Sequence, residues 1–268
     1  MQLKNKLFKL QKILEKSGSC LVAFSGGVDS AFLLKNASLV LPKGKIMAVT
    51  ANSATYPGEE LLFARQFCRR LGLRHKIINT GELHNKSFVA NPPERCYFCK
   101  KELFTQLRKI AEKNKLNFVF DAANISDKSD FRPGERAKKE LGARSPLQEA
   151  GLTKADIRSL SKKLGLETWN KPAQACLASR IPYGTPISKP ALERIGKAEN
   201  ILKALKFQQV RVRHYNGLCR IEVGKNEVGR LINNRQSIVD KFKKLGYNYI
   251  TVDLEGYRAG SLNEVIGR

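Results

Sequence analysis

The chain has 268 residues, 42% hydrophobic and 27% charged, with 49 Lys and Arg against 24 Asp and Glu and a formal net charge of +25. That length holds one large domain or two modest ones around a sizeable core, and the composition is that of a soluble globular protein. No apolar run approaches membrane-spanning length. The basic residues are dispersed as pairs without interleaved aromatics, which argues against a nucleic-acid platform.

Met1 to Cys20 is a Lys-rich amphipathic pattern (Leu3, Leu7, Leu10, Ile13, Leu14) without a cleavage-site signature, so a cytoplasmic protein is expected. Cys20-Leu21-Val22-Ala23-Phe24 reads as a buried parallel strand, and a helix begins beyond Ser25-Gly26-Gly27-Val28-Asp29-Ser30. Lys45 to Thr50 is a second strand, and Glu59 to Leu71 has helical periodicity closed by Gly72. His75 to Ile78 is a third strand. A loop through Asn91-Pro92-Pro93 leads to Cys96-Tyr97-Phe98-Cys99, with a helix predicted from about Lys101 to Lys113. Asn117 to Phe120 is a fourth strand running into Asp121-Ala122-Ala123-Asn124. Thr153 caps a helix, with Asp156 facing its exposed N–H groups and Gly165 closing it. Strands alternating with helices predict an α/β fold, its parallel sheet covered on both faces and its ligand beyond the carboxyl ends of the strands. The Ser25–Ser30 loop and Asp121 to Asp127 both fall there.

Near residue 170 the character changes. Pro172, Pro182, Pro186 and Pro190 punctuate the chain, and Ser188 can cap a helix of about Ala191 to Leu205. Val210 to Tyr215 and Leu218 to Val223 alternate around Asn216-Gly217, the pattern of a hairpin with a type I′ turn. A further helix and a strand at Tyr249 to Asp253 complete a smaller α/β domain. The predicted division is 1–170 and 171–268.

A glycine pair between a strand and a helix lets backbone N–H groups and the positive end of the helix dipole face phosphates. Ser25 and Ser30 add hydroxyl donors, and Asp29 can hold a Mg²⁺. No Gly-Lys-Ser/Thr follows, so this is not a Walker A loop. The six residues instead resemble the PP-loop, SGGxDS, of the ATP pyrophosphatases. That resemblance implies an adenine nucleotide alpha hydrolase-like domain, ATP as substrate, and attack on the α-phosphate with pyrophosphate leaving.

Further segments narrow the family. Pro93-Glu94-Arg95-Cys96-Tyr97-Phe98-Cys99-Lys100, Asp130-Phe131-Arg132-Pro133-Gly134, Lys171-Pro172, Cys176-Leu177-Ala178-Ser179-Arg180-Ile181-Pro182-Tyr183-Gly184 and Gly256-Tyr257-Arg258-Ala259-Gly260-Ser261 resemble the LarE-type ATP-dependent sulfur transferases, from about residue 14 to 263. The resemblance implies a step in building the nickel-pincer nucleotide cofactor. A carboxylate of pyridinium-3,5-biscarboxylic acid mononucleotide is adenylylated, and a sulfur nucleophile displaces AMP to leave a thiocarboxylate. The chemistry is sound, because adenylylation turns a carboxylate oxygen into a leaving group and a thiolate is the best side-chain nucleophile to expel it. A C-terminal domain for substrate, sulfur transfer and oligomerisation, and a homo-oligomer, are implied with it.

Six cysteines lie at 20, 68, 96, 99, 176 and 219. Cys20 and Cys68 read as buried apolar fillers and Cys219 as a strand residue without catalytic role. Read alone, Cys96-x-x-Cys99 leaves a zinc site, a redox pair and an iron–sulfur site open. The resemblance implies that Cys96, Cys99 and Cys176 hold a 4Fe-4S cluster carrying an extra sulfide, or, as in single-cysteine members, that Cys176 gives up its own sulfur. Ser179 and Arg180 lie close enough in sequence to bind the same ligand or orient that thiolate. Arg211 and Arg213, two apart on a strand, project to one face and can clamp the substrate phosphate, with Glu222 on the returning strand holding one of them. Tyr97 can stack on the pyridinium ring or simply pack. At the carboxyl end of the fourth strand, Asn124 and Asp127 are expected to face the nucleotide. The family's Gly-Thr-Asn, however, is here Ala122-Ala123-Asn124. The three histidines (75, 84, 214) show no ligand spacing. Two other functions are open to these motifs: a tRNA-thiolating PP-loop enzyme, whose expected RNA-binding appendage is not visible here, and a non-catalytic ATP-binding protein with structural zinc.

Overall fold

Short apolar strands and amphipathic helices alternate through the first two-thirds of the chain, and in the computed structural model they build a parallel α/β sheet. The structure describes residues 2–55, 59–129, 133–172, 175–258 and 260–267. The motif residues Asp130, Phe131, Arg132 and Ala259 therefore lie outside the described residues. In chain order the elements are α1 (Leu3–Ser17), β1 (Cys20–Ala23), α2 (Val28–Val40), β2 (Ile46–Asn52), α3 (Glu59–Leu71), β3 (Arg74–Asn79), α4 (Lys86–Val89), α5 (Arg95–Lys113), β4 (Phe118–Phe120), α6 (Gly134–Glu140), α7 (Pro146–Glu149) and α8 (Lys154–Lys163). They continue with α9 (Lys189–Ala204), β5 (Val210–Tyr215), β6 (Leu218–Val223), α10 (Val228–Asn233), α11 (Arg235–Lys244) and β7 (Tyr249–Val252).

The chain divides into two units, one of residues 1–53, 58–82 and 94–174, the other of residues 54–57, 83–93 and 175–268. In the first, four strands run parallel in the order β3-β2-β1-β4. Side chains alternate across a strand, so Cys20 and Val22 enter one core with Leu10, Leu14, Phe32, Leu33, Phe67, Ile157 and Leu160. Leu21 points the other way, into a second core with Met47, Val49, Val119, Phe104, Leu107 and Ala111. A sheet buried on both faces needs apolar residues at consecutive positions, which is why β1 reads as a continuous hydrophobic run. Among the described residues no helix is long and apolar enough to cross a membrane.

One helix differs from expectation. The helix predicted from about Lys101 begins at Arg95, so Cys96 and Cys99 occupy its first turns rather than a preceding loop. Packing explains the extension: Arg95 and Tyr97 are buried, and α6 comes so close that a Cβ at Gly134 would meet Lys100 Cγ at 2.8 Å and the Cys96 carbonyl oxygen at 3.3 Å.

In the second unit β5 and β6 form the expected hairpin. Asn216 sits at φ 56° in its turn, and β7 adds parallel to β6. One sheet face (Val210, Val212, Cys219, Ile221, Val223) packs on Leu202 of α9, Leu231 of α10 and Ile238 and Phe242 of α11. Alternation then sends Arg211, Arg213 and Tyr215 to the opposite face.

Candidate functional site

The Ser25–Ser30 loop leaves the carboxyl end of β1. Phe24 N–H donates to the Val49 carbonyl at 2.8 Å, extending the parallel pairing one residue past the strand. Gly26 then turns at φ 75°, where a Cβ would meet Glu60 Oε2 and Phe63 Cδ1 at 3.1 Å. Gly27 occupies the N-cap of α2 with no side-chain cap, which leaves the first N–H groups of that helix to a ligand. The Ser25 and Ser30 hydroxyls lie 3.1 Å apart, and Ser30 Oγ also donates to the Gly27 carbonyl at 3.2 Å. Such a loop, with two hydroxyls beside it, has the geometry to cradle an anion.

Asp29 stands in the first turn of α2. Its Oδ2 accepts from Lys154 Nζ at 2.5 Å, and its Oδ1 is buried with no hydrogen-bond partner among the described residues. Burial pushes this carboxyl above the ordinary carboxylate range; the Lys154 ammonium pulls it back, and the Asp127 carboxylate adds to the upward push. Asp127 Oδ2 accepts from Asn124 N–H at 2.9 Å, and Asn124 Oδ1 accepts from Ser126 N–H at 2.9 Å. The segment after β4 thus brings Asn124 and Asp127 to the same loop despite the two alanines before them. A buried, unpartnered carboxylate oxygen with a second carboxylate in electrostatic reach is a hard-oxygen donor set suited to Mg²⁺.

Three residues that sequence reasoning did not single out as site residues complete this surround. Lys154 reaches Asp29 from 125 positions away. Lys171 Nζ bonds the Gly26 carbonyl at 3.2 Å and Glu60 Oε2 at 2.6 Å, lying 4.5 Å from the Phe63 ring centroid. Arg158, one turn beyond Lys154, holds the strap carrying Lys171 through the carbonyls of Trp169 at 3.2 Å and Lys171 at 2.9 Å. Of these, only Lys171 had a local signal, the Lys-Pro pair noted with the cysteine segment.

In the second unit Cys176 is half-buried and directly precedes a short 3₁₀ turn, Leu177–Arg180. Arg180 grips Glu199 with two prongs and bonds the carbonyls of Ala175 and Cys176 at 2.8 and 3.0 Å and Ser179 Oγ at 3.0 Å. Arg213 is held by Glu222 at 2.7 and 2.9 Å, by the Ser179 carbonyl at 2.8 Å and by Ser261 Oγ at 2.7 Å. Cys176, Ser179, Arg180, Arg213 and Glu222 are thus brought together. Most of Arg213's donors are committed to protein partners, so it is a brace more than an open clamp. Arg211 lies over the Tyr257 ring at 5.0 Å. Burial lowers its pKa, as do the nearby Arg180 and Arg213, against upward pulls from Tyr257 and Glu199.

Tyr97 sits in the first unit, nearly buried. Its hydroxyl donates to Glu140 at 2.8 Å, and the Arg136 guanidinium lies 4.1 Å from its ring centroid. Cys96 and Cys99 are half-buried on one side of α5. They belong to the first unit and Cys176 to the second. Among the described residues no group of three or more His, Cys, Asp or Glu side chains assembles to hold a metal. Burial pushes Cys20, Cys68 and Cys219 up to about 12, keeping them as inert thiols.

No family model matches the chain. It is 37% identical over 245 residues to the pyridinium-3,5-bisthiocarboxylic acid mononucleotide synthase of Lactiplantibacillus plantarum, an alignment covering 91% of this chain and 89% of that one. It is also 41% identical over 266 residues to an uncharacterized protein of Synechocystis sp. (98% and 99% covered) and 32% identical over 258 residues to one of Methanocaldococcus jannaschii (95% and 98% covered).

Proposed function

Because the chain belongs to the LarE family of sulfur transferases, we propose that it converts a carboxylate of pyridinium-3,5-biscarboxylic acid mononucleotide to a thiocarboxylate, consuming ATP to AMP and pyrophosphate. The observation that carries the nucleotide half of this reading is the loop itself. A left-handed Gly26, an α2 N-terminus without a side-chain cap and an Asp29 Oδ1 unpartnered among the described residues converge at the end of β1. Residues 1–170 would then hold ATP, and residues 171–268 the pyridinium substrate, the sulfur chemistry and the contacts of a homo-oligomer.

The steps follow from the groups in place. The loop N–H groups and the Ser25 and Ser30 hydroxyls grip the β,γ-phosphates, leaving the α-phosphorus open to the substrate carboxylate. Mg²⁺, held by Asp29 and Asp127, would offset the charge on the phosphate oxygens as pyrophosphate leaves. In the second half, the Cys176 thiolate attacks the acyl adenylate and AMP departs, leaving a thioester. Loss of the Cys176 Cα proton then breaks the Cβ–Sγ bond, so the sulfur leaves on the product and the residue becomes dehydroalanine. Arg180 and Ser179 fix the segment bearing that thiolate, and Arg211 meets the substrate phosphate.

The finer alternative is a 4Fe-4S cluster on Cys96, Cys99 and Cys176, supported by the resemblance and by the shared helical face of Cys96 and Cys99. Such a cluster would supply the sulfur in place of Cys176 and leave that residue intact.

The test is turnover of purified protein with magnesium, ATP and the pyridinium dicarboxylate. AMP and pyrophosphate should form in step with thiocarboxylate; release of ADP instead would overturn the adenylylation. Mass spectrometry of the spent protein should find Cys176 lighter by one hydrogen sulfide. An intact chain after several turnovers would assign the sulfur to another donor, and iron and sulfide quantification after anaerobic reconstitution would identify a cluster.

A further inference from the structure

A lysine at the first position of α8 goes against the helix dipole, which favours acidic residues there. The helix does not need it. Its N-terminus is already closed by the reciprocal Thr153–Asp156 capping box, with Lys6 Nζ 2.6 Å from Asp156 Oδ2. Lys154 instead sends its ammonium to Asp29 Oδ2 at 2.5 Å, while its backbone N–H anchors on Ser126 Oγ at 3.1 Å, one residue from Asp127. The other Asp29 oxygen stays buried and has no hydrogen-bond partner among the described residues.

We infer that Lys154 is a placeholder for the divalent cation: it holds the metal seat at Asp29 in the nucleotide-free protein and yields it only when metal and nucleotide arrive together. The inference deepens the proposed use of ATP and rests on it. Charge counting gives the reason. Asp29 and Asp127 bring two negative charges, and Lys154 and Arg158 bring two positive charges within electrostatic reach of Asp29. A bare divalent ion therefore meets a neutral site and must displace a close ion pair. A nucleotide adds several negative charges at the adjoining loop, and the same ion is then attracted, while the released ammonium can face the phosphates. The metal thus enters as part of a metal–nucleotide complex. Discrimination against free metal is set by a residue outside the phosphate loop.

Mn²⁺ binding followed by electron paramagnetic resonance, with and without ATP, reads this directly on the full chain. Wild-type protein should bind Mn²⁺ weakly alone and tightly with ATP. Lys154→Met and Lys154→Gln should each bind nucleotide-free Mn²⁺ roughly tenfold or more tightly than wild type, as expected for removing a close opposing charge. That gain should vanish in an Asp29→Asn, Lys154→Met double variant. Either wild-type protein binding Mn²⁺ equally well without ATP, or both single variants matching wild type while their circular dichroism is unchanged, would overturn the placeholder. Failure of ATP itself to bind wild-type protein would instead remove the nucleotide reading, so the two failures are distinguishable.

Discussion

Arg180 and Glu199 form a two-pronged ion pair, Nε to Oε1 at 2.8 Å and Nη2 to Oε2 at 3.0 Å, with side chains only 3% and 4% exposed. The same carboxylate accepts the Val212 N–H at 3.1 Å, and the same guanidinium bonds the Ala175 and Cys176 carbonyls. One pair therefore ties α9, β5 and the sulfur-bearing segment together. Glu199→Gln leaves a buried guanidinium without its counter-charge, an error that costs about 3–5 kcal/mol. Urea unfolding should register that loss, accompanied by faster alkylation of Cys176. A variant as stable as wild type would show that the pair does not brace the segment.

The two loop glycines are not equivalent. Gly26→Ala forces a side chain into the left-handed region, about 1–2 kcal/mol of backbone strain, and drives its Cβ to 3.1 Å from Glu60 and Phe63. Gly27 has φ −78° and meets only Ser25 Oγ, at 3.5 Å. Gly26→Ala should therefore lose ATP binding in calorimetry, whereas Gly27→Ala should keep the loop's conformation and weaken ATP binding less. Equal losses would mean that direct contact with the phosphates, rather than backbone conformation, governs both positions.

What could be read from the sequence was what short-range chemistry dictates. The Asn216-Gly217 turn fixed the hairpin register at Tyr215 opposite Leu218, and Thr153 with Asp156 announced the start of α8. The SGGVDS loop was legible for the same reason, since strand, glycine turn and helix are consecutive. The start of α5 was not, because Glu94 makes no side-chain cap and the first turn has no acidic residue; packing against Gly134 sets it. Nor were Lys154 on Asp29 and Lys171 on Glu60, which join residues 125 and 111 positions apart with no local pattern. Spacing also overstated the symmetry of Arg211 and Arg213. They share a face, yet Arg213 is held by Glu222, Ser179 and Ser261 while Arg211 lies over the Tyr257 ring.

That asymmetry separates two variants. Arg213→Met strands Glu222, 1% exposed, leaving it among the described residues with Arg220 alone at 3.2 Å, and should chiefly destabilise the protein. Arg211→Met should instead raise KM for the mononucleotide by roughly ten- to hundredfold, the worth of one charge-assisted bond to a phosphate, with a smaller change in unfolding free energy. Steady-state kinetics paired with urea titration distinguishes them. If both variants shifted KM alike at equal stability, the two arginines would be equal partners in a phosphate clamp.

Acid should weaken the protein through two histidines before its carboxylates titrate. Thr50 Oγ1 donates to the Phe24 carbonyl at 2.8 Å, so its contact with His75 Nε2, also 2.8 Å, makes the hydroxyl the acceptor and His75 the Nε2–H donor. Phe24 is the last residue before the phosphate loop, so this chain of bonds steadies the loop's entry. Burial first, and Arg65 second, hold the His75 pKa below its ordinary 6.5; burial and Arg194 do the same at His214, whose Nδ1 lies 3.2 Å from the Tyr247 hydroxyl. With the folded pKa below the unfolded one, the unfolded chain takes the proton first. The stabilisation is thus complete above pH 6.5 and lost as pH falls from there through the folded pKa values. Urea unfolding between about pH 7.5 and about pH 5.5 should show this decline. His75→Gln, which keeps an N–H for Thr50 but cannot titrate, should flatten part of it, and His75→Gln with His214→Gln should flatten more. An undiminished slope in the double variant would place the acid sensitivity on other groups.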